Sequence, residues 1–96
     1  MTEKTITVSN RAGIHARPSA LLVETSKNYN CNIYFERGND RINAKSIMGV
    51  LTLAAAYGTE IRIIAEGEDT NEEIEAVEAL IKLFASKFEE EQDTVI

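Results

Sequence analysis

Alternating polar and apolar positions predict four short strands in this chain. The alternation covers residues 5–8, 31–36, 41–44 and 60–65, so each strand has one apolar face. Gly38-Asn39-Asp40 is a turn signal, and it predicts that the second and third strands form a hairpin. Strands of this kind suit a sheet that is covered on one face and meets water on the other.

Apolar positions three or four residues apart predict three helices. The first begins at Ala16 and ends at residues 28–30. The second is predicted over residues 47 to about 56, where Ser46 is a good N-cap and Gly58 is well placed to end the helix. The expected core face of the first helix comprises Ala16, Ala20 and Val23, with Leu22 and Tyr29 beside it.

The third helix is the longest of the three. Thr70 and Glu73 have the spacing of a capping box at its start. Its expected core face comprises Ile74, Val77, Ile81, Phe84 and Phe88. We predict one domain over residues 1–88, followed by a short acidic tail over residues 89–96. The order β-α-β-β-α-β-α predicts an α+β open-faced sandwich, in which three helices cover one face of a four-stranded antiparallel sheet.

Charge is unevenly distributed along the 96 residues. Residues 1–59 carry a net charge of +3 and residues 60–96 a net charge of −9, which together give −6. The overall sign argues against nucleic acid as the main partner. The basic part suits docking to an acidic protein surface, although a solvated acidic helix at the C-terminus explains most of the asymmetry by itself.

Cysteine content and hydropathy narrow the class of protein further. Cys31 is the only cysteine, which excludes an internal disulfide and favours the cytoplasm. No apolar run approaches the ~20 residues of a membrane-spanning helix, so we expect no membrane insertion. We expect a monomer that needs no metal and no cofactor, with Cys31 as a core residue of a strand.

His15 lies where a loop gives way to the first helix. A helix start is electrostatically positive and presents backbone N–H groups, so it suits a phosphoryl group. Pro18 fits the first turn, and Gly13 lets the loop take an unusual conformation. In phosphoryl transfer to histidine, the neutral imidazole ring is the nucleophile. Arg17 can neutralise charge on arriving phosphoryl oxygens.

The local pattern alone leaves two interpretations of His15. A surface histidine that merely precedes a helix is the more frequent arrangement. A phosphoryl acceptor is the alternative, and the sequence has no Gly-rich nucleotide loop, which favours a carrier over a kinase.

Two motifs favour the interpretation of His15 as a phosphoryl acceptor. Gly13-Ile14-His15-Ala16-Arg17-Pro18 resembles the phosphorylation signature of HPr, the histidine-containing phosphocarrier family of the bacterial sugar phosphotransferase system. Lys45-Ser46-Ile47-Met48-Gly49-Val50 resembles the same family's second signature, at its regulatory serine. The motifs stand at the family's mutual spacing, the predicted fold matches, and the resemblance covers residues 1 to about 88.

The resemblance implies a phosphoryl relay in which this chain is a carrier and not an enzyme. Enzyme I, charged by phosphoenolpyruvate, would phosphorylate His15 at Nδ1, and His15 would pass the group to an enzyme IIA domain of a sugar permease. Arg17 matches the family's active-site arginine. Ser46 matches the serine modified by the ATP-dependent HPr kinase/phosphorylase, and a transcriptional regulator is a further implied partner.

An exposed apolar patch is predicted on the second helix, because a helix packed on a sheet buries only one face. The expected buried residues are Val50, Leu53 and Ala54, and the expected exposed ones are Ile47, Met48 and Leu51. The alternative is that all six are buried. In the family the positions of the exposed three dock partners. We add Ala20, Lys27 and Lys45 to this docking surface. Arg17, Lys27 and Lys45 would form its basic rim. Glu24 departs from this pattern, because the position is often basic in relatives.

Three other functions stay open at this point. A regulatory paralogue without phosphotransfer normally lacks the active histidine, so His15 argues against it. A carrier of the nitrogen-related branch is favoured by residues 83–90, which resemble the end of that subfamily, whereas the Ser46 motif resembles the sugar type. A small α+β ligand-binding module without phosphoryl chemistry is the third, and failure to take phosphate from enzyme I would favour it.

Overall fold

The predicted order of strands and helices is confirmed. The computed structural model describes residues 1–53 and 55–89. The elements are β1 (Thr2–Thr7), α1 (Ala16–Lys27), β2 (Asn32–Arg37), β3 (Asp40–Asn43), α2 (Ile47–Thr52), β4 (Glu60–Glu66) and α3 (Thr70–Ala85), followed by a short C-terminal turn (Lys87–Glu89). Ala54 and residues 90–96 of the predicted tail lie outside the described residues.

The sheet is antiparallel throughout and has the strand order β1-β4-β2-β3. Thr7 pairs with Glu60 at one end of the β1–β4 ladder, and Phe35 lies between Ile42 and Ile63 in the centre of the sheet. The apolar alternation predicted from sequence puts one face into the core. The buried strand residues of that face are Ile33, Phe35, Ile61, Ile63 and Ala65.

Helix α1 buries only part of the predicted stripe, because Leu22 and Val23 are buried as expected but the two alanines are not. Ala16 is exposed and Ala20 is only half-buried. The buried residues are Pro18, Ser19, Leu22, Val23 and Ser26. Leu22 and Val23 belong to the hydrophobic core, and α1 packs against both α2 and α3.

Helix α2 is shorter than predicted and ends at Thr52, not near residue 56. The segment that follows the helix bonds to the loop before α1 instead. The carbonyl oxygen of Ala55 accepts a hydrogen bond from the Ile14 N–H at 2.8 Å. Gly58 lies in a turn with φ +87° and donates to Val8, so it does not end the helix.

The predicted capping box of α3 is wrong. The N-cap is Asp69, whose carboxylate accepts hydrogen bonds from the Asn71 and Glu72 N–H groups. The periodicity predicted that Ile74 faces the core. In the structure Glu73 points inward instead, and Ile74 is 40% exposed. Phe88 lies beyond the end of the helix, although it is buried as predicted.

Glu73 ties the start of α3 to the first strand. The residue is 1% exposed. Its carboxylate accepts hydrogen bonds from the Gly67 N–H at 2.8 Å and the Thr2 hydroxyl at 3.0 Å, and it lies 3.1 Å from the N-terminal ammonium of Met1. The Gly67 hydrogen bond, and next the one from the N-terminal ammonium, hold the pKa of this carboxyl below its ordinary value of 4.5.

This arrangement predicts a pH-dependent contribution to stability. A lowered pKa in the folded state stabilises the fold above pH 4.5, and that stabilisation is lost as the pH falls through the folded-state pKa. Glu73→Gln should therefore lower the midpoint of thermal unfolding at about pH 7, and the difference from the native chain should shrink towards about pH 3. Glu75→Gln, an exposed change on the same helix, is the matched control and should show neither effect. An equal loss at every pH would contradict a role for the ionised carboxylate.

Candidate functional site

His15 is the N-cap residue of α1. Its backbone is extended, with φ −102° and ψ −165°, and its carbonyl accepts the Ser19 N–H at 3.0 Å. The imidazole makes no side-chain capping hydrogen bond and the residue is exposed. The N–H groups of a first helical turn point towards the N-terminal end of the helix, and here they belong to Ala16 and Arg17 because Pro18 has none.

The loop before His15 is held in place by several hydrogen bonds. The side-chain amide of Asn10 donates to the Gly13 carbonyl at 2.7 Å, and the Gly13 N–H donates back to the Asn10 carbonyl at 3.1 Å. Gly13 has φ +71°, and a Cβ there would lie 2.8 Å from the Ala55 oxygen. The loop therefore fixes the position from which the imidazole projects.

Sequence reasoning found Gly13 but missed Asn10. Asn10 is 1% exposed, which is unusual for a loop asparagine. The available signal was an asparagine three residues before a glycine, because Asn side chains stabilise turns by bonding to nearby backbone.

Arg17 lies in the first turn of α1, and a distant residue contacts its side chain. The guanidinium Nη1 donates a hydrogen bond of 2.6 Å to the carbonyl of Phe88. Sequence reasoning placed Phe88 in the core of α3 and gave no reason to expect its backbone beside Arg17. The structure thus brings the C-terminal turn to the helix end that carries His15.

Ser46 is confirmed as the N-cap of α2. Its backbone is extended, and its Oγ accepts the Gly49 N–H at 3.1 Å. The hydroxyl is half-buried at the start of a helix that packs against α1.

The side of α2 that faces away from the core is apolar, as predicted. Met48 is 67% exposed, Ile47 44% and Leu51 36%, whereas Val50 and Leu53 are buried. The alternative in which all of these side chains are buried is therefore wrong for this helix. We call Ile47, Met48 and Leu51 the α2 patch.

The basic residues of the predicted rim, Arg17, Lys27 and Lys45, are spread along α1. Arg17 and Lys27 lie at opposite ends of α1, about 15 Å apart along the helix axis at the usual rise per residue. Lys45 is half-buried, and its ammonium donates to the Tyr29 carbonyl at 2.6 Å, beyond the C-terminal end of α1. These cations therefore lie along the length of α1.

The described residues contain no group of three or more His, Cys, Asp or Glu side chains that could hold a metal ion. Cys31 is buried directly before β2, and burial, followed by the charge of Glu72, raises the pKa of its thiol. A buried thiol of this kind is a packing residue. Within the part of the chain that the structure describes, no helix has the length and apolar character needed to cross a membrane.

Comparison with known proteins agrees with the motifs around His15 and Ser46. The sequence model of the phosphotransferase-system HPr component phosphorylation site matches residues 2–85. The chain belongs to the HPr family. Among HPr relatives, the phosphocarrier protein HPr of Treponema pallidum is 47% identical over 91 residues, which are 95% of this chain and 100% of that protein.

Structural comparison supports the same family. The crystal structure of HPr-C-His from Thermoanaerobacter tengcongensis has a TM-score of 0.88 at 44% identity and covers 96% of this chain and 100% of that one. The chain is also similar to a second kind of HPr-family protein. The HPr-like protein Crh of Bacillus subtilis is 37% identical over 82 residues, which are 85% of this chain and 96% of that protein.

Proposed function

We propose that this HPr-family chain is a phosphocarrier of the sugar phosphotransferase system. Enzyme I, charged by phosphoenolpyruvate, phosphorylates His15, and His15 passes the group to an enzyme IIA domain of a sugar permease. The observation that carries the proposal is the exposed imidazole at the N-cap of α1, next in the chain to the first-turn N–H groups and to Arg17.

The transfer step needs only groups that this site contains. The neutral imidazole Nδ1 attacks phosphorus, a P–N bond forms, and the bond between phosphorus and its donor atom on enzyme I breaks. The helix N-terminus and the guanidinium of Arg17 stabilise the negative charge on the phosphoryl oxygens. Transfer to an enzyme IIA domain breaks the P–N bond again and returns the neutral imidazole, so the chain acts as a carrier.

Ser46 is the proposed regulatory phosphorylation site. The HPr kinase/phosphorylase modifies its hydroxyl, which lies at the start of α2 next to Ile47 and Met48 of the α2 patch. A transcriptional regulator would recognise the modified form. The carrier itself works as a monomer in the cytoplasm.

The test is to incubate the native chain with enzyme I and phosphoenolpyruvate and to map the product by mass spectrometry. We expect one added phosphoryl group on His15, labile to acid. Treatment with the kinase and ATP should instead give an acid-stable phosphate on Ser46. No label from enzyme I would contradict the proposal and favour a ligand-binding module.

A mainly regulatory or nitrogen-branch protein is the second candidate. The similarity to Crh and the sequence of residues 83–90 favour it, whereas the presence of His15 favours the sugar carrier. Phosphorylated protein offered separately to enzyme IIA domains of the sugar and nitrogen branches distinguishes them, because only the cognate domain should accept the group rapidly.

The α2 patch gives a prediction about docking. Met48→Asp should weaken binding to enzyme I by about tenfold or more, since a charge replaces an exposed apolar contact. The fold should be retained because Met48 is 67% exposed. Ile74→Asp is the matched control, because it also replaces an exposed apolar side chain but lies on α3. Calorimetric titration checks both variants, and equal affinities would exclude the α2 patch as the docking surface.

A further inference from the structure

The C-terminal turn has an unusual backbone. Lys87, Phe88 and Glu89 have φ values of 55°, 55° and 59°, all in the left-handed region. Residues with a side chain rarely adopt this conformation, and three in succession are rarer still. Such a segment persists only when its surroundings hold it in place, and the contacts of the turn show what holds it.

The ring of Phe88 anchors the turn in the core. The residue is 1% exposed, and its ring packs edge to face against Phe84 with 5.1 Å between centroids. Phe84 in turn packs against Phe35 of β2 in the centre of the sheet, with 6.3 Å between centroids. The backbone adds a hydrogen bond of 2.9 Å from the Glu89 N–H to the Ser86 carbonyl.

The anchored turn places a carbonyl against Arg17. The Phe88 oxygen accepts a hydrogen bond of 2.6 Å from Nη1, across a separation of 71 residues. An arginine side chain has many rotamers, and a hydrogen bond to a fixed backbone atom selects among them. A carbonyl is neutral, so this bond orients the guanidinium without itself cancelling the charge that a phosphoryl group requires.

We propose that Phe88 is a positioning residue for phosphoryl transfer. Its buried ring fixes the left-handed turn, and the turn's carbonyl holds the guanidinium of Arg17 at the N-terminal end of α1. This inference rests on the proposed function, because it assigns Arg17 a role in the transfer at His15. It predicts that loss of the anchor slows the transfer step and leaves the α2 patch, the apolar part of the docking surface, unchanged, since that patch lies on another helix.

The first test uses variants of the anchoring ring. Phe88→Ala should lower the kcat of enzyme I-dependent phosphorylation by about three- to tenfold, because the side chain of Arg17 must then be ordered during the transfer step. The KM should be nearly unchanged. Phe88→Leu keeps a buried apolar anchor and should restore most of the rate. Leu80→Ala removes another fully buried side chain of the core and should keep the native kcat, which separates positioning from general loss of stability.

The second test leaves the ring in place and changes only the turn. Glu89→Gly and Glu89→Pro remove the same carboxylate, but glycine accepts a positive φ whereas proline fixes φ at about −65°. Glu89→Gly should transfer at the native rate and Glu89→Pro should be slow. This pair remains informative if Phe88→Ala does not fold.

Measuring the order of the Arg17 side chain directly tests the positioning role of Phe88 separately from the carrier function. NMR exchange of the guanidinium N–H protons should be slow in the native chain and in Glu89→Gly, and faster in Phe88→Ala and Glu89→Pro. If Phe88→Ala and Leu80→Ala have the same kcat, or if Glu89→Pro transfers at the native rate, the positioning role is wrong while the carrier function stands. A native chain that takes no phosphate from enzyme I overturns the carrier function, and the transfer role of Phe88 with it.

Discussion

His15→Ala should accept no phosphoryl group from enzyme I and should fold as stably as the native chain. His15 is the only histidine in the sequence, so no second imidazole can take over the role. The residue is exposed, so removal of its side chain should cost the fold little. Acid-labile phosphate after incubation with enzyme I measures the first expectation, and thermal unfolding measures the second.

His15→Asn is the sharper companion variant. An N-cap in the extended conformation normally carries Ser, Thr, Asp or Asn, and the amide oxygen of asparagine can accept a first-turn N–H. We expect this variant to be more stable than the native chain by up to about 1 kcal/mol and to take no phosphate. Such a result would show that the chain gives up helix stability at this position to keep an imidazole. If either variant takes up phosphate from enzyme I as efficiently as the native chain, His15 is not the phosphoryl acceptor.

Phosphorylation of Ser46 should reduce the affinity for enzyme I by about a hundredfold, which corresponds to about 2.7 kcal/mol. The phosphate adds about −1.5 to −2 charges beside Ile47 and Met48, whose exposed side chains belong to the α2 patch. A partner surface that receives the basic residues along α1 should be acidic, so repulsion and desolvation of the phosphate both oppose docking. The fold should be retained because a helix N-terminus tolerates an anion.

Two substitutions separate charge from capping at this position. Ser46→Asp keeps an acceptor for the Gly49 N–H and adds charge, so it should mimic the inhibition. Ser46→Ala loses the cap, at a cost of about 1 kcal/mol in stability, but should still be phosphorylated at His15. Enzyme I kinetics at several salt concentrations measure all the forms. Inhibition that salt does not relieve would indicate steric blockage, and unimpaired phosphorylation of the modified protein would exclude the coupling altogether.

Features that depend on near neighbours in sequence were predictable. The alternation that buries Ile33, Phe35 and Ile63 gave the strands and the covered face of the sheet, because side chains of a strand alternate between faces. Ser46 was identifiable as an N-cap, and Gly13 as a residue of special conformation, from residue type and position alone.

Features that depend on distant contacts were not predictable. Thr70 and Asp69 were both acceptable caps for α3, and the inward turn of Glu73 towards Gly67 and Thr2 accompanies the choice of Asp69. The early end of α2 likewise accompanies the bond between the Ala55 carbonyl and Ile14. No local pattern contains such partners, because they come from remote parts of the chain.

The strand order affects when, during synthesis, the proposed phosphorylation site at His15 can form. β1 leaves the ribosome first, but its partner in the sheet is β4, and the loop before His15 is tied to residues 55–59. The hairpin of β2 and β3 can close early because its strands are adjacent in sequence, whereas the β1–β4 ladder must close a long loop. We therefore expect a nascent chain that ends before Ala55 to carry the histidine without the remote contacts that hold its loop in place. Enzyme I would then meet an acceptor only on completed molecules, so that incomplete chains would not draw phosphoryl groups out of the relay.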